Sequence, residues 1–156
     1  MHLPSQIAKQ LRDLTFGGNW TWSSLKEQLS DISWELAIKQ AYNCHSIAAL
    51  VYHMNFYLNA VSGLLAGKPL DSKHELSFNL PNIQSQKDWE QLLDITWQDA
   101  EVFARLIEEM PESKLWQSVS DEYGNFYRNI QGVIEHNHYH LGQIVILKKI
   151  LKTKVQ

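Results

Sequence analysis

Apolar side chains recur at the three- and four-residue spacing of an amphipathic helix in four long segments of the chain. These segments run over residues 5–15, 46–66, 85–110 and 125–151, and a shorter helix is predicted over residues 24–29. Each long segment carries an apolar stripe, which is stable only when it is buried against a neighbour. The pattern therefore predicts an all-α protein in which four helices pack as a bundle.

Residues that begin and end helices fall at the borders of these segments. Ser46 and Ser85 are suited to cap the second and third long helices, and Asp88 follows Ser85 in the manner of a capping box. Gly67 and Pro111 end the same two helices, because glycine accepts the left-handed conformation and proline lacks an amide hydrogen. These boundaries can therefore be predicted from the local sequence.

Three stretches between the helices lack a clear period and are predicted to be irregular connections, at residues 31–43, 68–84 and 112–124. Within them, residues 75–80 can pair as a short strand with residues 115–120. Connections this long are uncommon in a compact domain and often carry function. They argue against a tight up-and-down bundle and favour a four-helix bundle with long connections.

Composition limits the classes of function that the chain can have. With 156 residues, of which 44% are hydrophobic and 20% charged, it is expected to form a single domain over residues 1–156. A net charge of −3 without a lysine or arginine cluster disfavours nucleic-acid binding. We expect no membrane span, because no apolar run approaches about 20 residues, and no secretory signal at the N-terminus. The single cysteine, Cys44, fits a reducing cytoplasm, so a cytoplasmic location is expected.

Three histidines occupy positions from which they can share one cation. His136 and His140 are four residues apart on the fourth predicted long helix, so they lie roughly 6 Å apart along one side of it. His53 interrupts the apolar stripe of the second long helix and can supply a third ligand. Three imidazoles buried without a cation or polar partners would cost on the order of several kcal/mol. We therefore predict a catalytic-type site for a divalent transition metal, with a coordination position left open.

Each of these residues also has an ordinary structural interpretation. A single histidine on an apolar helix face is more often a core residue bonded to a backbone carbonyl than a metal ligand, and two histidines four residues apart also occur by chance. The conjunction of all three is what favours a metal. The remaining histidines are weaker candidates, because they lie in exposed or connecting segments or face away from the pair: His2, His45, His74 and His138.

Three other side chains near the predicted site have no assigned role. Gln143 lies one turn after His140 and can orient an imidazole or a water, or be a surface amide. Tyr57 lies one turn after His53 and can point its hydroxyl into the same cavity or keep it in water. The thiol of Cys44 has no basic neighbour in sequence except a histidine, so a reactive thiolate is unsupported. No general base can be identified, and the catalytic residues stay unknown.

The motifs around the three histidines resemble those of the DinB/YfiT-like superfamily. The segment SIAALVYH at 46–53 is followed much later by HNHYHLGQI at 136–144, which has the H-x-x-x-H-x-G-Q-I pattern. The resemblance covers nearly the whole chain and implies a DinB-type four-helix bundle, often dimeric, with Zn²⁺, Ni²⁺ or a similar ion on His53, His136 and His140. Many members carry arginine directly after the last histidine, where this chain has Leu141, which leaves the charge of the substrate open.

The same resemblance implies a metal-dependent enzyme that acts on a small molecule. Some members transfer low-molecular-weight thiols and others are called hydrolases by analogy, so we expect a hydrolase or a low-molecular-weight-thiol S-transferase, acting as a homodimer. The alternative is a non-catalytic bundle that is stabilised by metal, or binds a ligand, in a stress response. An open coordination position beside a cavity favours the enzyme, whereas a closed metal site favours the alternative.

Overall fold

The computed structural model of the protein describes residues 2–70 and 73–153. Six α-helices lie within these residues: α1 (Leu3–Phe16), α2 (Leu25–Leu29), α3 (Trp34–Ile38), α4 (Ile47–Leu65), α5 (Gln86–Glu108) and α6 (Phe126–Thr153). The connections hold two 3-10 helices, His74–Phe78 and Glu112–Trp116, and a hairpin of β1 (Ser118–Ser120) and β2 (Gly124–Asn125). The protein is thus mostly helical, and the predicted all-α class is confirmed at that level.

The four long helices share one core. α1 packs against α5 and α6, and α4 packs against the same two helices. Side chains with no exposed surface come from each of the four: Leu11, Ile47, Phe103 and Ile130. Because α4 and α6 lie in direct contact, side chains from the middle of one can meet side chains from the middle of the other.

The predicted caps begin and end the helices as the sequence indicates. The Ser46 hydroxyl oxygen accepts from the amide of Ala49 at 3.2 Å. The Ser85 hydroxyl accepts from the amide of Asp88 at 3.2 Å and donates to its carboxylate at 2.8 Å. Gly67 follows α4 with φ of +85°, a conformation that glycine adopts without a steric penalty. The predicted start of α4 and of α5 is therefore confirmed.

The connection predicted at residues 31–43 contains a helix that the sequence pattern did not reveal. α3 occupies five of its residues and begins after Ser33, whose side chain accepts from the amide of Leu36 at 3.4 Å. Ala37, in the middle of α3, has no exposed surface. A helix of little more than one turn is too short to display an apolar period, so the prediction of a wholly irregular connection was wrong here.

The strand predicted at residues 75–80 is also wrong. That stretch begins with the 3-10 helix His74–Phe78, in which the buried Ser77 hydroxyl donates to the carbonyl of His74 at 2.7 Å. β1 pairs instead with β2, which follows it after a short turn. A local hairpin closes a much shorter loop than a pairing across the chain, so it costs less entropy.

Residues 71 and 72 of the predicted connection at 68–84 lie outside the described residues. Within the described ranges, none of the helices combines the length and the apolar character that crossing a bilayer requires.

Candidate metal centre

The three predicted ligands meet between α4 and α6. The His136 Nε2 atom lies 3.1 Å from Nε2 of His53 and 3.0 Å from Nε2 of His140. The ligand atoms of all three residues fall within 4.8 Å of one another. His53 and His140 are buried, with 4% and 7% of their surface exposed, and His136 is half-buried. Among the described residues, these three histidines form a group that can hold a metal ion.

A serine fixes the orientation of the His53 ring. The Ser77 hydroxyl donates its hydrogen to the carbonyl of His74, so its oxygen is left to accept. Nδ1 of His53 lies 2.9 Å from that oxygen and must therefore carry the proton. Nε2 of the neutral His53 ring then holds a lone pair, which is directed toward the other two histidines.

A glutamine does the same for His140. The Gln143 amide nitrogen donates to the Tyr139 hydroxyl at 3.1 Å, and its amide oxygen faces His140. That oxygen lies 2.7 Å from Nδ1 of His140 and accepts a hydrogen bond from its N–H group. Nε2 of His140 is thereby left as a second inward lone pair. Hydrogen bonds of this kind orient metal-binding imidazoles and raise their basicity.

The third ring lacks an equivalent partner. Nδ1 of His136 is buried and has no hydrogen-bond partner among the described residues. A hydrogen on Nε2 of His136 can be donated to His53 or to His140, but not to both. In one of the two close contacts, therefore, two nitrogen lone pairs face each other and repel. A divalent cation compensates all of them, because an ion about 2.0–2.1 Å from each nitrogen in tetrahedral geometry holds them about 3.3 Å apart. The donor set therefore fits a metal ion.

The surroundings keep the three rings uncharged at neutral pH. Burial, followed by repulsion from the neighbouring rings of His136, His140 and His74, lowers the pKa of His53 to about 4. Burial, and then the charge of His140, lowers the pKa of His136 to about 4. Burial also lowers the pKa of His140, against the opposing effect of its bond to Gln143. Neutral imidazoles are the form that binds a metal.

Aromatic side chains pack around the candidate metal ligands. The Phe78 ring stacks on the His53 ring with centroids 4.1 Å apart. The His45 ring also stacks on Phe78, with centroids 4.0 Å apart. The Tyr57 ring meets His53 and His136 edge-on at 5.1 and 5.0 Å. Its hydroxyl lies 2.6 Å from Nδ1 of His74. These aromatic rings thus pack directly against two of the three ligands, His53 and His136.

A cavity of about 340 Å³ opens beside His136. Tyr57 and Val61 of α4, Val133 of α6 and Leu70 line it with mainly apolar surface. Its volume falls in the range of small-molecule sites, about 300–1,000 Å³. A small molecule in this cavity would lie against one of the three histidines.

The other residues singled out from sequence lie apart from the centre or at its edge. His138 lines a different cavity from the one beside His136. His2 accepts from the amide of Ser5 at the start of α1. Cys44 is free and exposed, in a cavity of about 240 Å³ that Gln143 also lines.

Sequence reasoning missed Ser77 and Phe78, which hold His53 from the connection before α5. No local signal marks them, because a serine and a phenylalanine in a polar connection have many other uses. His74 was judged a weak ligand candidate, and it does not join the three. It is exposed, yet it bonds Tyr57, and its ring centroid lies 6.2 Å from that of His53.

Comparison with known proteins adds nothing to this description: no family model, curated protein or solved structure matches the chain. The resemblance to the DinB/YfiT-like superfamily therefore stays a prediction from the sequence motifs. The fold and the site define a mostly helical protein with three histidines that can bind a divalent metal.

Removing the acceptor of His140 should weaken metal binding without removing a ligand. We expect Gln143→Leu to lower the affinity for Zn²⁺ by about tenfold, the lower end of the usual effect of such a change. Gln143→Glu keeps an acceptor and should retain the affinity. Competition titration against a chromogenic chelator measures the effect. Tyr139→Phe is the control, and an unchanged affinity in Gln143→Leu would contradict the role of this bond.

Proposed function

We propose that the protein is a metal-dependent enzyme of the DinB/YfiT-like superfamily, with Zn²⁺ or Ni²⁺ held by His53, His136 and His140. The observation that carries this proposal is the convergence of three imidazole Nε2 atoms, two of them with their tautomer fixed by Ser77 and Gln143. Such an arrangement is costly for three isolated neutral rings and favourable around a cation.

The packing of the long helices supports the finer description of the fold. α1, α4, α5 and α6 each contact two of the others, as expected for a DinB-type four-helix bundle. The ligands belong to the second and fourth long helices, in agreement with what the resemblance implies. Dimerisation and a cytoplasmic location stay predictions from the sequence.

When bound, a divalent ion at three histidines supplies Lewis acidity, which lowers the pKa of a water or thiol ligand. The chain's own residues perform the other tasks. Ser77 and Gln143 orient the imidazoles of His53 and His140, and Phe78 stacks on the His53 ring. The cavity beside His136 binds a small molecule through its apolar wall. A hydrolase and a low-molecular-weight-thiol S-transferase are both consistent with these parts.

The alternative is a non-catalytic bundle in which the metal only stabilises the fold. The cavity beside His136 argues for the enzyme, because a structural site is usually closed by a fourth protein ligand. Among the described residues, no fourth histidine, cysteine or carboxylate joins the group.

Metal content is the first test of this proposal. Protein purified without a nickel column should contain about one divalent ion per chain, as measured by mass spectrometry. The loaded protein is then screened for ester and amide hydrolysis and for thiol transfer, with the chelated protein as its control. No ion, and no uptake of added Zn²⁺ or Ni²⁺, would overturn the metal assignment. A bound ion that raises the melting temperature without any turnover would favour the non-catalytic alternative.

A further inference from the structure

The cavity beside His136 extends along α6 toward an arginine. His136 and Arg128 both line it and are eight residues apart on this helix, which corresponds to about 12 Å along the axis. Gly132 and Val133, which fall between them on α6, also line the cavity. Ala60 and Val61 of α4 line it as well. The cavity is thus lined by one ligand of the candidate metal centre, by the guanidinium-bearing side chain of Arg128 and by mainly apolar surface.

Among the residues that the structure describes, Arg128 forms no salt bridge. Among the described residues, no carboxylate lies within 4 Å of its guanidinium, although Glu122 lines the same cavity. By contrast, Arg12 is paired with both Glu101 and Glu108. Within residues 2–70 and 73–153, the Arg128 guanidinium thus has no carboxylate partner, and its N–H groups can donate to a group that enters the cavity.

The backbone leaves room for the Arg128 side chain in this position. A Cβ atom at Gly124 would lie 3.1 Å from Cδ of Arg128, closer than ordinary contacts allow. Gly124 also has φ of +71°, which disfavours other residues at this turn. The hairpin before α6 therefore lets the arginine lie against its backbone at the edge of the cavity.

We propose that Arg128 binds the carboxylate of an elongated substrate, whose apolar body contacts Val61 and Val133 and whose opposite, reactive end reaches His136. The guanidinium presents a planar set of donors that matches a carboxylate. The part of this inference that concerns the reactive end rests on the proposed metal function. The carboxylate site itself depends only on Arg128 and the cavity.

Two probes of equal length separate the contributions of the two ends. Mercaptohexanoate and mercaptohexanol share a thiol, which is a ligand for zinc, and differ only in carrying a carboxylate or a hydroxyl. Calorimetric titration of the zinc-loaded protein should show that the acid binds about tenfold more tightly than the alcohol, as expected for a charge-assisted pair. The Arg128→Gln variant should bind the two probes within about twofold of each other.

Matched variants keep the result specific. Arg105→Gln removes the same charge from an exposed position on α5 outside the cavity and should keep the preference for the acid. Glu122→Gln removes the neighbouring carboxylate and should keep or increase it. A wild-type protein that binds both probes equally, or an Arg128→Gln variant that still prefers the acid, would overturn the inference.

The same titrations distinguish this inference from the proposed function. If the protein takes up no zinc but hexanoate still binds and loses affinity in Arg128→Gln, the metal proposal fails and the carboxylate site stands. If zinc binds to the three histidines but the acid is not preferred, the carboxylate site fails and the metal proposal stands.

Discussion

The His140→Ala variant is expected to lose at least about a hundredfold in affinity for Zn²⁺, so that it is purified nearly free of metal. Its side chain contributes one of three converging Nε2 atoms, and its Nδ1 is already oriented by Gln143. The two remaining imidazoles form a much weaker site, because each ligand contributes a large share of the binding free energy. Mass spectrometry of the purified protein and competition titration with added Zn²⁺ measure the loss.

A matched control removes a neighbouring histidine from the same helix. His138 lies two residues earlier on α6 and faces a different cavity, so His138→Ala should keep the full metal content. Because His140 is buried, the melting curve of each metal-free variant must also show a cooperative transition. A folded His140→Ala variant that retains one ion per chain would remove His140 from the ligand set.

Much of this site could be predicted because its determinants are local. The spacing of His136 and His140 places both on one side of any α-helix. His53 lies in the apolar stripe of a helix whose start is marked by Ser46, so its side chain had to turn inward. The encounter of these inward faces then required only that the second and fourth long helices be neighbours.

The parts that could not be predicted depend on contacts between distant segments. Ser77 acquires its role because the 3-10 helix His74–Phe78 lies against α4. Nothing in the residues 68–84 distinguishes that placement from an exposed loop. The prediction of a strand at residues 75–80 was wrong for the same reason. A short stretch of mixed apolar and polar residues takes its conformation from its surroundings.

The position after the last histidine illustrates the limit of arguing from motifs. Leu141 is buried in the core, with 4% of its surface exposed, so this position cannot present a side chain to a substrate. The cation that lines the cavity is Arg128, which lies near the start of the same helix. A positive charge at the site was therefore visible only after the hairpin and α6 had been placed around the cavity.

The metal-free protein is expected to lose stability as the pH falls from 7 to 5. In the folded state, burial and repulsion from neighbouring histidines lower the pKa of His53 and of His136 from 6.5 to about 4. The unfolded chain therefore binds more protons than the folded protein between these values, and the free energy of unfolding falls as the pH decreases through this window. With about 1.4 kcal/mol for each pKa unit, the loss by pH 5 is on the order of 2 to 4 kcal/mol.

Urea denaturation in the presence of a chelator at pH 7, 6 and 5 measures this loss. His136→Gln removes one of these depressed groups and the repulsion that it exerts on His53, so we expect the slope of stability against pH to fall below that of the wild type. A wild-type protein whose free energy of unfolding is flat over this range would show that the imidazoles take up protons in the folded state. Protons would then compete with a metal near pH 6.5 rather than near pH 4, because the same lone pairs receive both.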